Sequence, residues 1–285
     1  MKRVALINDL SGFGKCSLTA GIPVISAMGM QACPLPTAVL SSQTGFRSFF
    51  YDDYTERMNE ITDEWSKLGV DFQGIVSGYL GSPVQIKNVL YFLEHFQRTE
   101  TIFLADPVMG DNGRCIKSFS EALLSSMKQL TRKANVITPN LTELCLLADE
   151  DYSEIVAYET TDDYLKKIQE IAQRVSERAE GEQTVITTGI LRQRETGEYI
   201  GNLIVSKEHV SYHESFYTGK GFSGTGDLFA AVVIGEMVQG QSADTAVKKA
   251  IEFLQPAIEE ATRENVDRNH GVNFEKYLRT LIMNG

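Results

Sequence analysis

The chain has 285 residues, of which 42% are hydrophobic, and a formal net charge of −11 at pH 7. This size and apolar content are sufficient for one large core, so we expect residues 1–285 to form a single domain. The acidic balance, without a basic block, disfavours nucleic acid or an anionic membrane as a partner. No stretch reaches the roughly 18 apolar residues of a membrane span. The four cysteines form no Cys-x-x-Cys pair, which indicates a reduced, cytoplasmic protein.

Short apolar runs alternate with longer amphipathic segments along the chain. In the first half we predict, in chain order, a strand at 4–7, a helix at 15–28, a strand at 33–40, a helix at 53–68, a strand at 74–76, a helix at 84–96 and a strand at 101–105. In the second half we predict a strand at 136–137, helices at 142–148 and 164–179, a strand at 184–186, a hairpin of 199–205 and 210–216, and helices at 228–237 and 245–262. This alternation is typical of a three-layer α/β/α fold with a central, mostly parallel sheet.

The most informative segment is glycine-rich and precedes the helix at 228–237. Gly224, Thr225 and Gly226 would present backbone N–H groups at the positive end of that helix, which forms a site for an anion. Asp227 follows at the mouth of this site. A carboxylate in that position is suited to accept the proton of a hydroxyl group that attacks a phosphoryl group. The alternative is that Asp227 only caps the helix and the glycines form a turn.

Four polar clusters follow apolar runs, where an open α/β sheet usually places its ligands. They comprise residues 8–12, 106–111, 138–143 and 187–189. Asp106 either caps a turn or contributes, with Asp111 and Glu143, oxygen ligands for a metal or groups near a phosphate. Asn140 and Glu143 also suit the start of a helix, which is compatible with a functional role.

Two glycine motifs are poor matches to nucleotide-binding loops. Residues 12–17 resemble a P-loop, but Asp9 and Cys16 occupy positions where glycine and a hydroxyl residue are required. Residues 219–224 match G-x-G-x-x-G but lack the βαβ context of a dinucleotide site. A nucleotide-dependent oxidoreductase therefore remains a weakly supported alternative.

Taken together and in order, residues 106–111, 138–143 and 224–229 resemble the motifs of the ribokinase-type superfamily of small-molecule kinases, and most of all those of its pyridoxal kinase branch. The resemblance extends from residue 4 to about residue 261. It implies a ribokinase-like fold and a phosphotransferase that uses ATP and Mg²⁺ to phosphorylate the hydroxymethyl group of vitamin B6 compounds.

The resemblance also implies roles for individual residues. Asp227 would be the general base, with the anion hole formed by Gly224, Thr225 and Gly226. The residues near the ATP phosphates would be Asp106, Asn140, Glu143, Thr187 and Thr188. Of these, Asp106 and Glu143 would also lie at the magnesium ion.

At the acceptor end, Ser11 and Thr44 match hydroxyl residues that contact the pyridine ring, and Tyr79 matches a tyrosine that lines the same region. Tyr79 is equally compatible with a half-buried core aromatic. Many members of the family carry a tyrosine on a flap shortly after the Asp-Pro-Val segment. Here residues 114–117 contain no aromatic side chain, which leaves flap closure and substrate choice open.

Several alternatives remain at this stage. A hydroxymethylpyrimidine kinase shares the architecture, although that branch often has cysteine where this chain has Asp227. A sugar kinase is less favoured, because the region between Gly45 and Gly74 is predicted to be mostly helical rather than an inserted β-lid. A non-catalytic binder of small molecules is disfavoured by the intact anion-hole sequence. The family further suggests a homodimer, and leaves open the preferred B6 vitamer and a requirement for a monovalent cation such as K⁺.

Overall fold

The computed structural model describes residues 1–282 and has an α/β fold. Its strands are β1 (Arg3–Ser11), β2 (Gln31–Leu40), β3 (Tyr51–Asp53), β4 (Gly74–Ser77), β5 (Ile102–Ala105), β6 (Gly110–Asp111), β7 (Arg114–Cys115), β8 (Val136–Ile137), β9 (Thr184–Arg194), β10 (Gly197–Val205) and β11 (Val210–Phe216). Its α-helices are α1 (Ser17–Ala27), α2 (Thr55–Lys67), α3 (Pro83–Phe96), α4 (Glu121–Arg132), α5 (Leu141–Ala148), α6 (Tyr152–Val156), α7 (Tyr164–Ser176), α8 (Thr225–Val238) and α9 (Ala243–Arg263). Two 3₁₀ segments follow, at Arg268–His270 and Phe274–Leu281.

Every strand and helix expected from the sequence is present, with boundaries shifted by a few residues in most cases. Strand β9 continues to Arg194, well beyond the predicted end at 186. The extra residues pair antiparallel with β10 in a hairpin, and Arg194 and Gly197 are the last pair before its turn. Helix α4 was not predicted from the sequence; its N-cap Ser120 accepts the backbone N–H of Leu123. The short helix α6 and the short strands β3, β6 and β7 were also not predicted, because they are too brief to produce an apolar period.

The chain divides into two compact units. Unit 1 comprises Met1–Leu80, Val84–Phe103 and Thr218–Gly285, and its strands lie in the order β5-β4-β1-β2-β3. Strand β1 runs parallel to β2 and β4, while β3 pairs antiparallel at the edge. Helix α8 is buried from Leu228 to Gly235 and packs against α1, α9 and β4. This packing holds the amino end of α8 close to the carboxyl end of β1.

Unit 2 comprises Gly81–Pro83 and Leu104–Tyr217, so strand β5 contributes to both units. Its strands lie in the order β11-β10-β9-β8-β5, with β5, β8 and β9 parallel and the hairpin of β10 and β11 antiparallel. Helices α5 and α7 pack together and against β9. The predicted α/β class, with a mostly parallel sheet flanked by helices, is confirmed. The prediction of one domain over residues 1–285 remains a prediction.

Membrane-spanning helices need both length and a continuous apolar surface. Within residues 1–282, no helix is both long enough and apolar enough to do so.

Candidate active site

The glycine-rich segment begins helix α8 in unit 1. Gly224 is the N-cap residue and has a left-handed backbone with φ of 85°. A Cβ atom at this position would lie 1.9 Å from the carbonyl oxygen of Lys15, so only glycine fits. Thr225, Gly226 and Asp227 form the first turn, whose N–H groups have no acceptor within a helix. Asp227 is therefore not the N-cap residue, and the anion site expected at this turn stays a prediction.

The carboxylate of Asp227 is held by residues from β1 and α1. The Nδ2 of Asn8 donates to its Oδ1 at 2.8 Å, and the backbone N–H of Ser17 is a second donor. Asn8 is itself fixed, because its Oδ1 accepts the backbone N–H groups of Asp9 at 2.9 Å and Tyr79 at 3.1 Å. The amide of Asn8 therefore orients Asp227 and connects it to the segment after β4.

The surroundings of Asp227 change its acidity. Burial, together with the negative charge of Asp9, raises the pKa of Asp227 to about 6. The N–H groups of Ser17 and Asn8 oppose this shift, because they stabilise the charged carboxylate. A carboxyl group with a pKa near neutrality is suited to general base catalysis.

A second carboxylate, the buried Asp9, organises the hydroxyl groups beside Asp227. It accepts the hydroxyl protons of Ser11 and Ser17, each at 2.7 Å. Ser11 is fully buried, and the oxygen of its hydroxyl retains its capacity to accept a hydrogen bond. Burial, with the charges of Asp227 and Asp9, raises the pKa of the Cys16 thiol to about 12, so this thiol stays protonated.

The predicted acceptor residues differ in their surroundings. Tyr79 is half-buried and contacts Asn8 through its backbone, so Ser11, Tyr79 and Asp227 all belong to one hydrogen-bonded group. Thr44 is exposed, in a turn closed by the backbone bond from Phe46 to Gln43 at 3.2 Å.

Asn8, Asp9 and Ser17 had no role predicted from the sequence. The signal was available for Asn8 and Asp9, which belong to one of the four polar clusters and follow the buried residues at the start of β1. Ser17 was not identifiable, because its contribution comes from a backbone N–H group and from a hydroxyl that bonds to Asp9.

In unit 2, Asn140 and Glu143 form a capping box at the start of α5. Asn140 Oδ1 accepts the N–H of Glu143 at 3.1 Å, and Glu143 Oε2 accepts the N–H of Asn140 at 2.9 Å. The predicted capping role is confirmed. The other oxygen of Glu143 accepts the N–H of Met109 at 3.0 Å, and Asn140 Nδ2 donates to the carbonyl of Gly110 at 2.7 Å. The box therefore also fixes the segment that follows β5.

Asp106 and Glu143 interact electrostatically. Burial raises the pKa of Glu143, and the negative charge of Asp106 raises it further, against the effect of the backbone N–H donors. Asp106 also accepts the hydroxyl proton of Thr138 at 3.1 Å. A nearby cation stabilises the ionised forms of two neighbouring carboxyl groups. Carboxylate oxygens are ligands that suit Mg²⁺.

The threonines after the buried part of β9 lie near the same segment. Thr188 donates its N–H to the carbonyl of Pro139 at 2.9 Å and bridges to Asn140. Thr187 is fully buried, and its hydroxyl has no hydrogen-bond partner among the described residues. An unpartnered hydroxyl of this kind is costly unless a ligand or water contacts it. Within residues 1–282, no three His, Cys, Asp or Glu side chains are grouped to hold a metal ion.

The segment that lacks the flap tyrosine forms the hairpin of β6 and β7. An aromatic ring does lie against this hairpin, but it comes from α6. A Cβ atom on Gly113 would lie 2.7 Å from the ring of Tyr152, so the ring packs directly on the hairpin turn. Neither the residue nor its location was identified from the sequence, because α6 is distant from the hairpin in the chain.

Comparison with known proteins gives a consistent family. A family model described as phosphomethylpyrimidine kinase matches residues 14–273. A curated relative, a pyridoxal kinase from Deinococcus radiodurans, is 24% identical over 260 residues, which cover 89% of this chain and 85% of that protein.

Solved structures agree with this result. The fold is similar to that of a candidate phosphomethylpyrimidine kinase from Bacteroides thetaiotaomicron VPI-5482, with 37% identity, a TM-score of 0.91 and coverage of 99% of this chain and 94% of that chain. A second crystal form of a Bacteroides protein with the same description contains pyridoxal. The pyridoxal kinase of Lactobacillus plantarum is 27% identical, with a TM-score of 0.87 and coverage of 99% and 97%.

Proposed function

The chain belongs to the phosphomethylpyrimidine kinase family, and we propose that it transfers the γ-phosphoryl group of ATP to the hydroxymethyl group of pyridoxal, pyridoxine or pyridoxamine. The observation that carries this proposal is Asp227, a half-buried carboxylate in the first turn of α8 that Asn8 orients at 2.8 Å. The pyridoxal in the Bacteroides relative and the 27% identity to a pyridoxal kinase support the choice of acceptor.

In this proposal Asp227 accepts the proton of the acceptor alcohol as its oxygen attacks phosphorus. With a pKa near 6, Asp227 is ionised at neutral pH yet basic enough to receive that proton. The N–H groups of Gly224, Thr225 and Gly226 stabilise negative charge on the transferred phosphoryl group. The hydroxyl groups of Ser11 and Thr44 contact the pyridine ring, and Tyr79 lines that region.

A further group of residues is proposed to contact ATP. Asp106, Asn140, Glu143, Thr187 and Thr188 contact the phosphates or their magnesium ion, with Asp106 and Glu143 nearest the metal. The unpartnered hydroxyl of Thr187 and the mutual influence of Asp106 and Glu143 fit such a ligand. Magnesium typically keeps phosphate and water oxygens and takes only one or two carboxylates from a protein, so a larger cluster is not required. When bound, the ion neutralises charge on the phosphates.

The remaining features are proposed from the family alone. They are a homodimer, a cytoplasmic location and, as an open point for assay, activation by a monovalent cation such as K⁺.

Hydroxymethylpyrimidine is the second candidate acceptor, and the description of the family favours it. It also carries a hydroxymethyl group on a heteroaromatic ring. The resemblance of the sequence argues for vitamin B6, because the pyrimidine branch often has cysteine at the position of Asp227.

The test is a phosphorylation assay with ATP and Mg²⁺ against pyridoxal, pyridoxine, pyridoxamine, hydroxymethylpyrimidine and fructose. We expect the highest kcat/KM for a B6 vitamer. A preference for hydroxymethylpyrimidine would establish the alternative, and a preference for fructose would overturn both. The Asp227→Asn variant is the control for activity from a contaminating kinase.

A further inference from the structure

The turn that carries Thr44 is held mainly by Gln43, the residue before it. Gln43 is buried, and its Oε1 accepts the N–H of Gly45 at 2.7 Å. Its backbone N–H donates to the carbonyl of Phe13 at 3.0 Å, and its backbone carbonyl accepts the N–H of Phe46. The buried side chain of Gln43 therefore spans the turn as far as Gly45, whereas Thr44 between them is exposed.

A segment more than 200 residues later in the chain completes these contacts. The Nε2 of Gln43 donates to the carbonyl of Asn269 at 3.1 Å, a pair separated by 226 positions. In return, the Nδ2 of Asn269 donates to the carbonyl of Gly45 at 3.0 Å, across 224 positions. We call Gln43, Gly45 and Asn269 the turn clasp. It joins the Thr44 turn to the 3₁₀ segment Arg268–His270 by two reciprocal side-chain hydrogen bonds.

The surrounding residues are shaped to admit this clasp. A Cβ atom on Gly45 would overlap with Oδ1 of Asn269. The absence of a side chain at Gly45 therefore lets the turn lie directly against Asn269. The rings of Phe13, Phe46 and His270 pack against one another with centroids 5.4 to 5.6 Å apart. Phe46 and His270 belong to the two segments that the clasp joins, and the backbone of Phe13 is bonded to Gln43, so aromatic packing reinforces the hydrogen bonds.

The same 3₁₀ segment is bonded to the glycine-rich segment that begins α8. The N–H of Ser223 donates to the carbonyl of Arg268 at 3.1 Å, and the Nε2 of Gln43 makes a longer contact of 3.4 Å with the hydroxyl of Ser223. Ser223 directly precedes Gly224, the N-cap residue of α8. The position of the Thr44 turn relative to the first turn of α8 is thus set through residues 268–269.

We propose that Asn269 and Gln43 are positioning residues that place Thr44 for the acceptor molecule. Neither side chain needs to contact the substrate, since both act through the backbone of the turn. The kinetic part of this inference rests on the proposed kinase function. Its structural part, the ordering of residues 43–46 by Asn269, does not.

The test uses the full chain as Asn269→Ala, Gln43→Ala and the double variant. Steady-state rates are measured with ATP, Mg²⁺ and the acceptor that the wild type uses best. Each single variant removes about one or two hydrogen bonds, so we expect the acceptor KM to rise about three- to tenfold. We expect kcat and the KM for ATP to change less than about twofold, since both variants keep the backbone bond between Ser223 and Arg268 that joins the 3₁₀ segment to the start of α8. Because both residues act in one network, the double variant should be less impaired than the product of the single effects.

Asn273→Ala is the matched control. Asn273 lies in the same part of the chain and bonds to Lys15 at 2.8 Å and to Glu264, but it does not contact the clasp. Its acceptor KM should equal that of the wild type. Asn269→Asp keeps the shape but removes the Nδ2 donor, and should behave like Asn269→Ala.

Hydrogen–deuterium exchange of the peptide spanning residues 41–50 provides a readout without catalysis. We expect faster exchange in Asn269→Ala and Gln43→Ala than in the wild type or Asn273→Ala. Gln43→Ala removes the acceptor of the Gly45 N–H, and Asn269→Ala removes the donor that fixes the carbonyl of Gly45. Unchanged exchange in Asn269→Ala would overturn the clasp. An equal rise in KM for ATP and acceptor would overturn the positioning role. If the wild type phosphorylates none of the acceptors, the proposed function fails while the exchange experiment still decides whether the clasp exists.

Discussion

Asp227 combines two properties at the scale of a single residue. The carboxylate is half-buried, and desolvation and the negative charge of Asp9 make its ionised form less favourable. The hydrogen bond from Asn8 fixes the orientation of the carboxylate. A carboxylate with these properties lowers the stability of the folded state but is suited to proton transfer. A perturbed pKa at such a position is therefore typical of functional sites.

Replacing Asp227 by Asn tests the proposed base. We expect kcat to fall by about 10²–10⁴-fold, because the general base is lost. The affinity for ATP should be nearly unchanged, since the anion site is formed by backbone N–H groups. Steady-state kinetics and ATP binding by calorimetry measure the two quantities. A kcat near that of the wild type would refute the assignment.

The pH dependence of the wild type checks the same assignment without a substitution. Because Asp227 must be ionised to accept a proton and its pKa is about 6, kcat/KM should rise with pH through that value and reach a plateau above it. A rate profile from pH 5 to 8 measures this. A flat profile across that range would contradict Asp227 as the base.

Thr44→Val tests the acceptor contact. The substitution keeps the shape and removes one hydroxyl, so binding of the pyridine substrate should weaken by about 0.5–1.5 kcal/mol. ATP binding should be unaffected. The Kd values of pyridoxal, pyridoxine, hydroxymethylpyrimidine and fructose for wild type and variant decide the matter, and an effect on ATP alone would exclude Thr44 from the acceptor site.

At the scale of elements, the starts of two helices organise the candidate groups. Helix α8 begins at a left-handed glycine and leaves its first N–H groups for an anion, whereas α5 begins with a capping box that uses the carboxylate of Glu143. Both starts lie in segments that were recognisable from the sequence, the glycine-rich segment for α8 and the polar cluster 138–143 for α5. Their capping differs because Gly224 has no side chain to accept a hydrogen bond, whereas Asn140 has one.

Gly224→Ala should be strongly destabilising. The substitution combines a positive φ, which costs an L-residue about 1–2 kcal/mol, with a Cβ atom 1.9 Å from the carbonyl oxygen of Lys15. Gly219→Ala is the control, because Gly219 also has a positive φ, of 78°, but no other atom lies within 4 Å of the place its Cβ would take. Urea unfolding of the two variants should show a distinctly larger loss for Gly224→Ala, and equal losses would refute the steric argument.

Glu143→Gln tests the second cluster. In the wild type both oxygens of Glu143 accept backbone N–H groups. The glutamine amide would place its own N–H donor against one of these N–H groups, so we expect a loss of about 1–3 kcal/mol in the free energy of unfolding. We also expect a higher Mg²⁺ concentration for half-maximal activity, with little change in acceptor KM. Glu121→Gln, in the exposed first turn of α4, is the control. An unchanged magnesium titration would exclude a role of Glu143 at the metal.

At the scale of the whole molecule, Asp227 should reduce the stability of the fold. Its pKa is about 6 when folded and close to the ordinary aspartate value of 3.8 when unfolded, so the folded state binds more protons between these values. Stability therefore falls as pH rises from about 4 to 6, and the loss is complete above about pH 6.

Asp227→Asn should remove this penalty. At pH 7 to 8 the variant should be more stable than the wild type by on the order of 2–3 kcal/mol, and the difference should vanish near pH 4. Denaturant unfolding at several pH values measures it, with the exposed Asp162→Asn as control. A variant that is less stable at neutral pH would show that hydrogen bonding to the carboxylate outweighs its burial.

The sequence by itself determined the α/β class, the order of most elements and the identity of the catalytic candidate. These features depend on contiguous residues: apolar periodicity predicts helices and strands, and residues 224–227 stand together because a helix start needs consecutive N–H groups. Short elements such as β3 and α6 carry too few residues for a period.

Only the tertiary structure decided what surrounds those candidates. Asn8 meets Asp227 across 219 positions and Asn269 meets Gly45 across 224, and no local pattern encodes either pair. The pKa of Asp227 likewise depends on burial by α8 packing and on Asp9, and the ring of Tyr152 reaches the hairpin turn at Gly113 from a separate helix. Such contacts arise when the chain packs, because hydrogen bonds and desolvation act over distances in space rather than along the sequence.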